Sequence, residues 1–333
     1  MTELSGRLAV VTGGGSGIGR ELVRRLFSEG CHVALCDLSE EAMAETRRLC
    51  QAQPMAGGGR LTTHRVDVAD ETQLLRFRDE VAAQHQTDRV HLLFNNAAIT
   101  GGGSILKHSR EEWDRTFNIC WNGVYYSTRA FLPMLLKADA AHIVNMSSVA
   151  GFWAAAGAHV PHTAYAAAKF AVRGFTEALI VDFRENAPHI RCSVVMPGHV
   201  GTGIVSNTRQ VLCGSAAIPI DAKRAELQAH GQDVAAMSKA DVEAAYDRHE
   251  QDYVRRAPMS AAMAASAILS GVKERRWRIL IGEDARLLDK SVRNDPDRAY
   301  EVDFFDRFLR RMRSPARRVR RAWARLKASR MPA

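Results

Sequence analysis

Short apolar runs and amphipathic stretches alternate along most of the chain. The runs "RLAVVTGG" (7–14), "HVALCD" (32–37), "THRVDV" (63–68), "VHLLFNNA" (90–97), "HIVNMSS" (142–148) and "IRCSVVMPG" (190–198) are rich in β-branched and other apolar residues and read as strands. Between them lie helical patterns: Ile18–Ser28 with Ile18, Leu22 and Leu26 in register, a stretch near 70–85, a long one near 110–137, and another near 163–186. Strands without polar alternation, separated by helices, predict a parallel sheet covered on both faces, an α/β doubly wound fold. The pattern changes after Pro197. Residues 203–257 carry two polar helical segments, 221–230 and 239–256, before a small-residue helix after Pro258 and a last strand at 277–282, "WRILIG". A helical insertion at one end of a sheet is the expected place for a lid over a substrate. Residues 1–285 are therefore expected to form one catalytic domain with its lid at 203–257, and 286–333 a C-terminal extension. No internal repeat interrupts this plan.

The chain has 333 residues and an ordinary 46% of hydrophobic and 25% of charged residues. No run approaches 18 apolar residues, and the start "MTELSGRLAVVTGGG" lacks a basic region followed by a greasy one, so neither a membrane span nor a signal peptide is expected and the cytoplasm is the expected location. The net charge of +9 would suggest nucleic acid, but eleven of the 46 basic residues and none of the 37 acidic ones fall in 307–333. The rest of the chain is slightly acidic, and no aromatic platform accompanies the arginines, so nucleic acid is not expected. From Phe304 to Lys327, Val319, Trp323 and Leu326 keep helical spacing among arginines, a pattern open to three readings: contact with an anionic membrane, packing on a neighbouring subunit, or a solvated end. The six cysteines, 31, 36, 50, 120, 192 and 213, show neither a CxxC pair nor metal spacing, which fits buried thiols in a reducing compartment and no metal.

Two clusters carry chemistry. "TGGGSGIG" (12–19) sets Gly13, Gly17 and Gly19 after the first strand and at the mouth of a helix, where free N–H groups and the positive dipole end favour a phosphate. The spacing is GxxxGxG. Asp37 ends the second strand, where a carboxylate accepts from adenosine ribose hydroxyls and repels a 2′-phosphate, favouring NAD over NADP; capping of the next helix is its structural alternative. Arg20 points down the helix and is not counted as a 2′-phosphate ligand. In "TAYAAAKF" (163–170), Tyr165 and Lys169 stand one turn apart on one helix face, so a phenol and an ammonium reach into the same space.

These motifs, with Asp67 in "VDV", "NNAA" (95–98), Asn118 in "FNICWNG", Ser148 in "SSVAG" and "PGHVGT" (197–202), resemble the short-chain dehydrogenase/reductase family from residue 7 to about 282. The resemblance implies an oxidoreductase that interconverts a secondary alcohol and a ketone by hydride transfer with a nicotinamide cofactor. It implies that Tyr165 is the general acid/base, that Lys169 lowers its pKa from the usual ~10 and holds the nicotinamide ribose, that Ser148 bonds the substrate oxygen, and that Asn118 positions a water. For the cofactor it implies Gly13, Ser16, Gly17, Ile18 and Gly19 at the phosphates, Asp67 and Val68 beside the adenine, Asn95 and Ala97 at the nucleotide edge, and Pro197, Gly198, Val200 and Thr202 near the carboxamide. It also implies a homodimer or homotetramer built on the helices near 110–137 and 163–186. The chain departs from the family pattern in Ala98, in a longer stretch between Ser148 and Tyr165 that carries His159 and His162, and in residues 283–333. Phe152 and Trp153 either wall an apolar substrate compartment or pack against the sheet. A nucleotide-sensing or scaffolding protein without turnover, or a peripheral membrane protein using the basic tail, are the alternatives.

Overall fold

A computed structural model describes residues 3–53, 58–155, 160–214, 218–229 and 231–313. In chain order its first half runs β1 (Leu8–Thr12), α1 (Gly17–Ser28), β2 (His32–Asp37), α2 (Glu40–Gln51), β3 (Leu61–Arg65), α3 (Glu71–His85), β4 (Leu92–Asn95), α4 (Arg110–Phe117), a π-turn (Asn118–Asn122), α5 (Gly123–Leu136) and β5 (Ala141–Met146). The second half continues with a one-turn 3₁₀ helix (Val149–Gly151), α6 (Thr163–Asn186), β6 (Ile190–Pro197), β7 (Val200–Gly201), α7 (Ile204–Cys213), α8 (Ile220–Ala229), α9 (Lys239–Arg255), β8 (Met259–Ser260), α10 (Ala261–Lys273), β9 (Arg278–Ile281), α11 (Glu283–Asn294) and α12 (Phe304–Arg313).

Seven strands form one parallel sheet in the order β3-β2-β1-β4-β5-β6-β9. Both faces are buried, and strand alternation divides the side chains between them. Val10, Ala34 and Cys36 join Phe77, Phe131 and Leu135 on the side of α3 and α5. Ala9, Val11, Val33 and Leu35 join Leu22, Leu26, Ile268 and Leu269 on the side of α1 and α10. Strand order reverses between β1 and β4, which opens a crevice at their C-terminal ends.

The predicted fold is the observed one, with local corrections. The third strand is Leu61–Arg65 rather than 63–68, because Thr62 is buried and continues the β2 pairing while Asp67 turns out of the sheet. The helix expected over 110–137 is interrupted by the π-turn at Asn118–Asn122. The lid carries a third helix, α7, besides the two predicted. Phe152 and Trp153 take the packing alternative: with Val194, Met196, Leu287, Leu288, Ala299, Phe304 and Phe308 they form a core beneath α11 and α12. The apolar stripe of 304–313 is thus covered by the chain itself rather than offered to a membrane. Val319, Trp323 and Leu326 lie outside the described residues, as does His159.

Candidate active site

The β1–α1 turn is built by close approach. Gly13 has φ +67°, and a Cβ on it would stand 2.8 Å from the Ala97 Cα; a Cβ on Gly19 would stand 2.0 Å from the Gly13 carbonyl oxygen. Asn96 staples the turn, its Nδ2 donating to the carbonyls of Thr12 at 3.0 Å and Gly13 at 3.1 Å. The Thr12 hydroxyl accepts from the amides of Asn96 and Ala97 at 3.0 and 3.1 Å. The N-cap of α1, Ser16, makes no side-chain bond to the helix amides, and the first turn has no acidic residue. Those amides are free to meet an anion at the positive end of the helix dipole. This cradle, which a Cβ would fill, fits a dinucleotide pyrophosphate. Thr202 arrives from the other wall, 3.3 Å from where a Cβ on Gly17 would lie.

Asp37 lies beside this turn. Its Oδ2 accepts from the Gly15 amide at 2.9 Å and its Oδ1 from the Ser39 amide at 3.2 Å, which locks the carboxylate at the end of β2. The N-cap alternative falls to Ser39, whose Oγ accepts from the Ala42 amide at 3.1 Å. Arg20 folds back onto the Gly15 carbonyl at 2.9 and 2.6 Å. Asp67 pairs with Arg115 at 2.7 Å, and Val68 is buried where Gly123 passes close to it.

Asn95 is placed otherwise than expected. Its side chain is 2% exposed and donates to Thr128 and Asn145 at 3.0 and 2.8 Å, beneath the sheet rather than at the nucleotide edge. Strand alternation gives the crevice side to Asn96. Val200 likewise sends its side chain into the core, leaving only its backbone on the crevice.

The second cluster gathers at the end of β5. Ser148 caps the 3₁₀ turn, its Oγ accepting from the Ala150 amide at 3.1 Å. Tyr165 and Lys169 project from α6, with the Lys169 Nζ 5.5 Å from the centre of the Tyr165 ring. Lys169 is 1% exposed and donates to the Met146 carbonyl at 2.7 Å. Burial pushes the Tyr165 phenol up from its ordinary range, buried Cys120 adds to this, and a hydrogen bond with Ser148 pulls it down. Burial likewise pushes Lys169 down. Without nucleotide, enclosure favours the neutral form of both groups. Asn118 starts the π-turn, its Oδ1 accepting from Asn122 Nδ2 at 2.9 Å, and His162 meets the Tyr165 ring edge-on at 5.4 Å.

The lid contributes residues that the sequence reading missed. His199 donates from Nε2 to the Tyr253 carbonyl at 2.7 Å and packs its ring 4.4 Å from that of Tyr253. Its own amide donates to Asp284 Oδ2 at 2.6 Å, so Asp284, behind Pro197 and Gly198, fixes the turn that enters the lid. Asn207 on α7 donates to Ser16 Oγ at 2.9 Å and joins the lid to the glycine turn. Among the described residues no group of three or more His, Cys, Asp or Glu is set to hold a metal, and no helix is long and apolar enough to cross a membrane.

A nucleotide cradle and a Ser–Tyr–Lys cluster at the switch point of a doubly wound sheet define a nicotinamide-dependent oxidoreductase class. The sequence profile of the family described as short chain dehydrogenase matches residues 7–213. The chain belongs to the short-chain dehydrogenase/reductase family of oxidoreductases, whose members bind NAD(P). It is 33% identical over 293 residues, 88% of this chain and 92% of the relative, to the Mycobacterium tuberculosis protein SadH, described as an oxidoreductase. It is 37% identical over 217 residues, 64% of this chain and 79% of the relative, to a cyclopentanol dehydrogenase of Comamonas. Among solved structures, a short-chain dehydrogenase/reductase from Burkholderia phymatum in complex with NAD superposes with a TM-score of 0.67 at 31% identity, covering 88% of this chain and 96% of that one.

Proposed function

We propose that the protein interconverts a secondary alcohol and a ketone with NAD, using Tyr165 as general acid/base. The observation that carries this reading is the convergence of Ser148, Tyr165 and Lys169 beside the glycine cradle. When bound, the nicotinamide supplies or accepts the hydride. In reduction the Tyr165 hydroxyl gives its proton to the substrate oxygen; in oxidation the phenolate takes it. Without substrate the Ser148 hydroxyl bonds Tyr165 and favours the phenolate; with substrate bound its one proton is turned to the substrate oxygen. Lys169, held by the Met146 carbonyl, sets a positive charge close to the ring when it is protonated and holds the nicotinamide ribose. The Asn118 segment keeps a water route to Lys169.

The cradle residues Gly13, Ser16, Gly17, Ile18 and Gly19 take the pyrophosphate; Asp37 takes the adenosine ribose and favours NAD. The substrate carries apolar groups, in keeping with the cyclopentanol named for one relative. The protein works as a homodimer or homotetramer joined through α5 and α6, where Tyr125, Phe170 and Val181 remain 38, 40 and 61% exposed. The test is turnover: purified protein with NAD and a panel of cyclic and aryl secondary alcohols should produce NADH, and absence of turnover on the panel in either direction, with NAD or NADP, counts against the reading.

A further inference from the structure

The stretch that joins Ser148 to Tyr165 is held from two sides. On one side the Thr163 hydroxyl accepts from Trp113 Nε1 at 3.1 Å, and the amides of Thr163 and Ala164 donate to the carbonyls of Gly103 and Gly102 at 2.9 and 3.0 Å. On the other side the contacts come from the far end of the chain. Trp153 Nε1 donates to the Ala299 carbonyl at 2.8 Å, the Ala154 amide donates to the Tyr300 hydroxyl at 3.0 Å, and the Trp153 ring stacks on Phe305 at 5.7 Å and 8°. Trp153 and Ala299 are 4 and 1% exposed, so this junction is a piece of core.

The junction connects directly to the hydroxyl at Ser148. The Trp153 and Phe152 amides donate to the Val149 carbonyl at 3.0 and 3.1 Å, the Gly151 amide donates to the Ser148 carbonyl at 2.9 Å, and the Ala150 amide donates to Ser148 Oγ at 3.1 Å. A single 3₁₀ turn thus runs from the Trp153 anchor to Ser148, too short to absorb a shift at one end without moving the other.

We propose that the C-terminal segment Ala299–Phe305 is a positioning element of the active site, with Trp153 and Tyr300 as its positioning residues, fixing the turn that aims Ser148 at Tyr165. The proposal rests on the reading of Ser148 and Tyr165 given above. It makes a segment beyond the nucleotide fold part of the reacting end, through contacts that span 146 residues of sequence.

Two variants test it. Tyr300→Phe removes one acceptor at a residue 62% exposed, so folding is not at stake. Trp153→Phe keeps an aromatic ring but removes the bond to Ala299. Hydrogen exchange of residues 149–155 and 160–163 should quicken in both variants, whatever the activity. Among active preparations, kcat/KM for the alcohol should fall by about 3–10-fold in Tyr300→Phe and more in Trp153→Phe. The rising limb of the alcohol-oxidation pH profile, assigned to Tyr165, should move to higher pH, because a displaced Ser148 no longer pulls the phenol down, and the NAD dissociation constant should stay within about twofold. Unchanged exchange in both variants overturns the proposal. So does quickened exchange with kcat/KM and the limb unmoved, which makes the junction structural only. A wild-type protein that turns over no alcohol overturns the functional reading instead, while exchange still decides whether the C-terminal segment orders the turn.

Discussion

The nucleotide end and the substrate end are made of different material. The glycine turn, Asn96 and the ends of β1, β2 and β4 form a site closed so tightly that Gly13, Gly14, Gly15 and Gly19 leave no room for a Cβ. The lid helices bury little: α7 has only Thr208 fully buried, and α9 buries Val242, Ala245 and Tyr246 against a small cluster of the lid's own. A site made of backbone geometry accepts one ligand shape, whereas a site made of side chains on a lightly anchored lid is open to change. On the proposed function, the contrast assigns the cofactor class to the turn and the choice of substrate to the lid.

The strongest test separates binding from chemistry. Tyr165→Phe should lower turnover on the order of 10³-fold, about 4 kcal/mol, while NAD affinity stays unchanged, because the phenol belongs to the reacting end and the cradle does not depend on it. In the wild type, alcohol oxidation should accelerate as pH rises toward the raised Tyr165 pKa and ketone reduction should slow, since each direction needs the opposite protonation state. Stopped-flow NADH absorbance across pH checks both signs.

Acid probes the body of the sheet. Burial holds His142 down to about 3 and His85 down to about 4, so both bind fewer protons folded than unfolded. Their contribution is fully present above about pH 6.5 and is lost as pH falls from there toward 4 and then 3. Urea titrations at pH 7.5 and 4.5 should show the loss, and His142→Gln should flatten it.

Asp37→Asn addresses the cradle alone. Loss of a charge-assisted bond to the ribose and of repulsion toward a 2′-phosphate should shrink the NAD-over-NADP preference by roughly 30- to 150-fold, or about 2–3 kcal/mol. Isothermal titration with both dinucleotides measures it. The smallest effect belongs to the lid. Arg209 bridges α7 and α9 through Glu250 and Tyr246, and Arg209→Ala should raise KM for the alcohol by about 3–10-fold while changing stability by less than about 1 kcal/mol. An equal loss of NAD affinity in that variant would erase the contrast between the two ends.

The sheet was legible because β1, β4 and β5 are buried along their whole length, so their sequences are mostly apolar, with Thr12, Asn95, His142 and Asn145 as buried polar exceptions. Strand β3 was misplaced because it is the edge strand: Thr62 and His64 alternate inward and look polar in sequence. The glycine turn, Asp37, Ser148, Tyr165 and Lys169 were readable because each needs a particular residue type at a particular spacing. Asn95 and Asn96 are chemically identical neighbours, and only the period-two alternation of β4 decides which faces the crevice. The π-turn at Asn118 has no compositional signature. The contacts of Asp284 with His199 and of Ala299 with Trp153 join residues 85 and 146 positions apart, beyond the reach of any local pattern.

Between Pro197 and Arg278 the chain leaves the sheet, builds the lid and returns to pair β9 with β6 in register, Val194 with Arg278 through Pro197 with Ile281. Closing such an excursion costs entropy that grows only with the logarithm of its length, about 0.6 kcal/mol for each doubling. The lid also carries its own apolar cluster of Leu227, Val234, Val242 and Tyr246, so its cohesion draws little on the sheet. Segments of quite different length and composition can therefore be exchanged between Gly201 and Met259, short of α10, which covers the sheet, at small thermodynamic cost, and on the proposed function this is where a new substrate range is most readily grafted onto an unchanged dinucleotide platform.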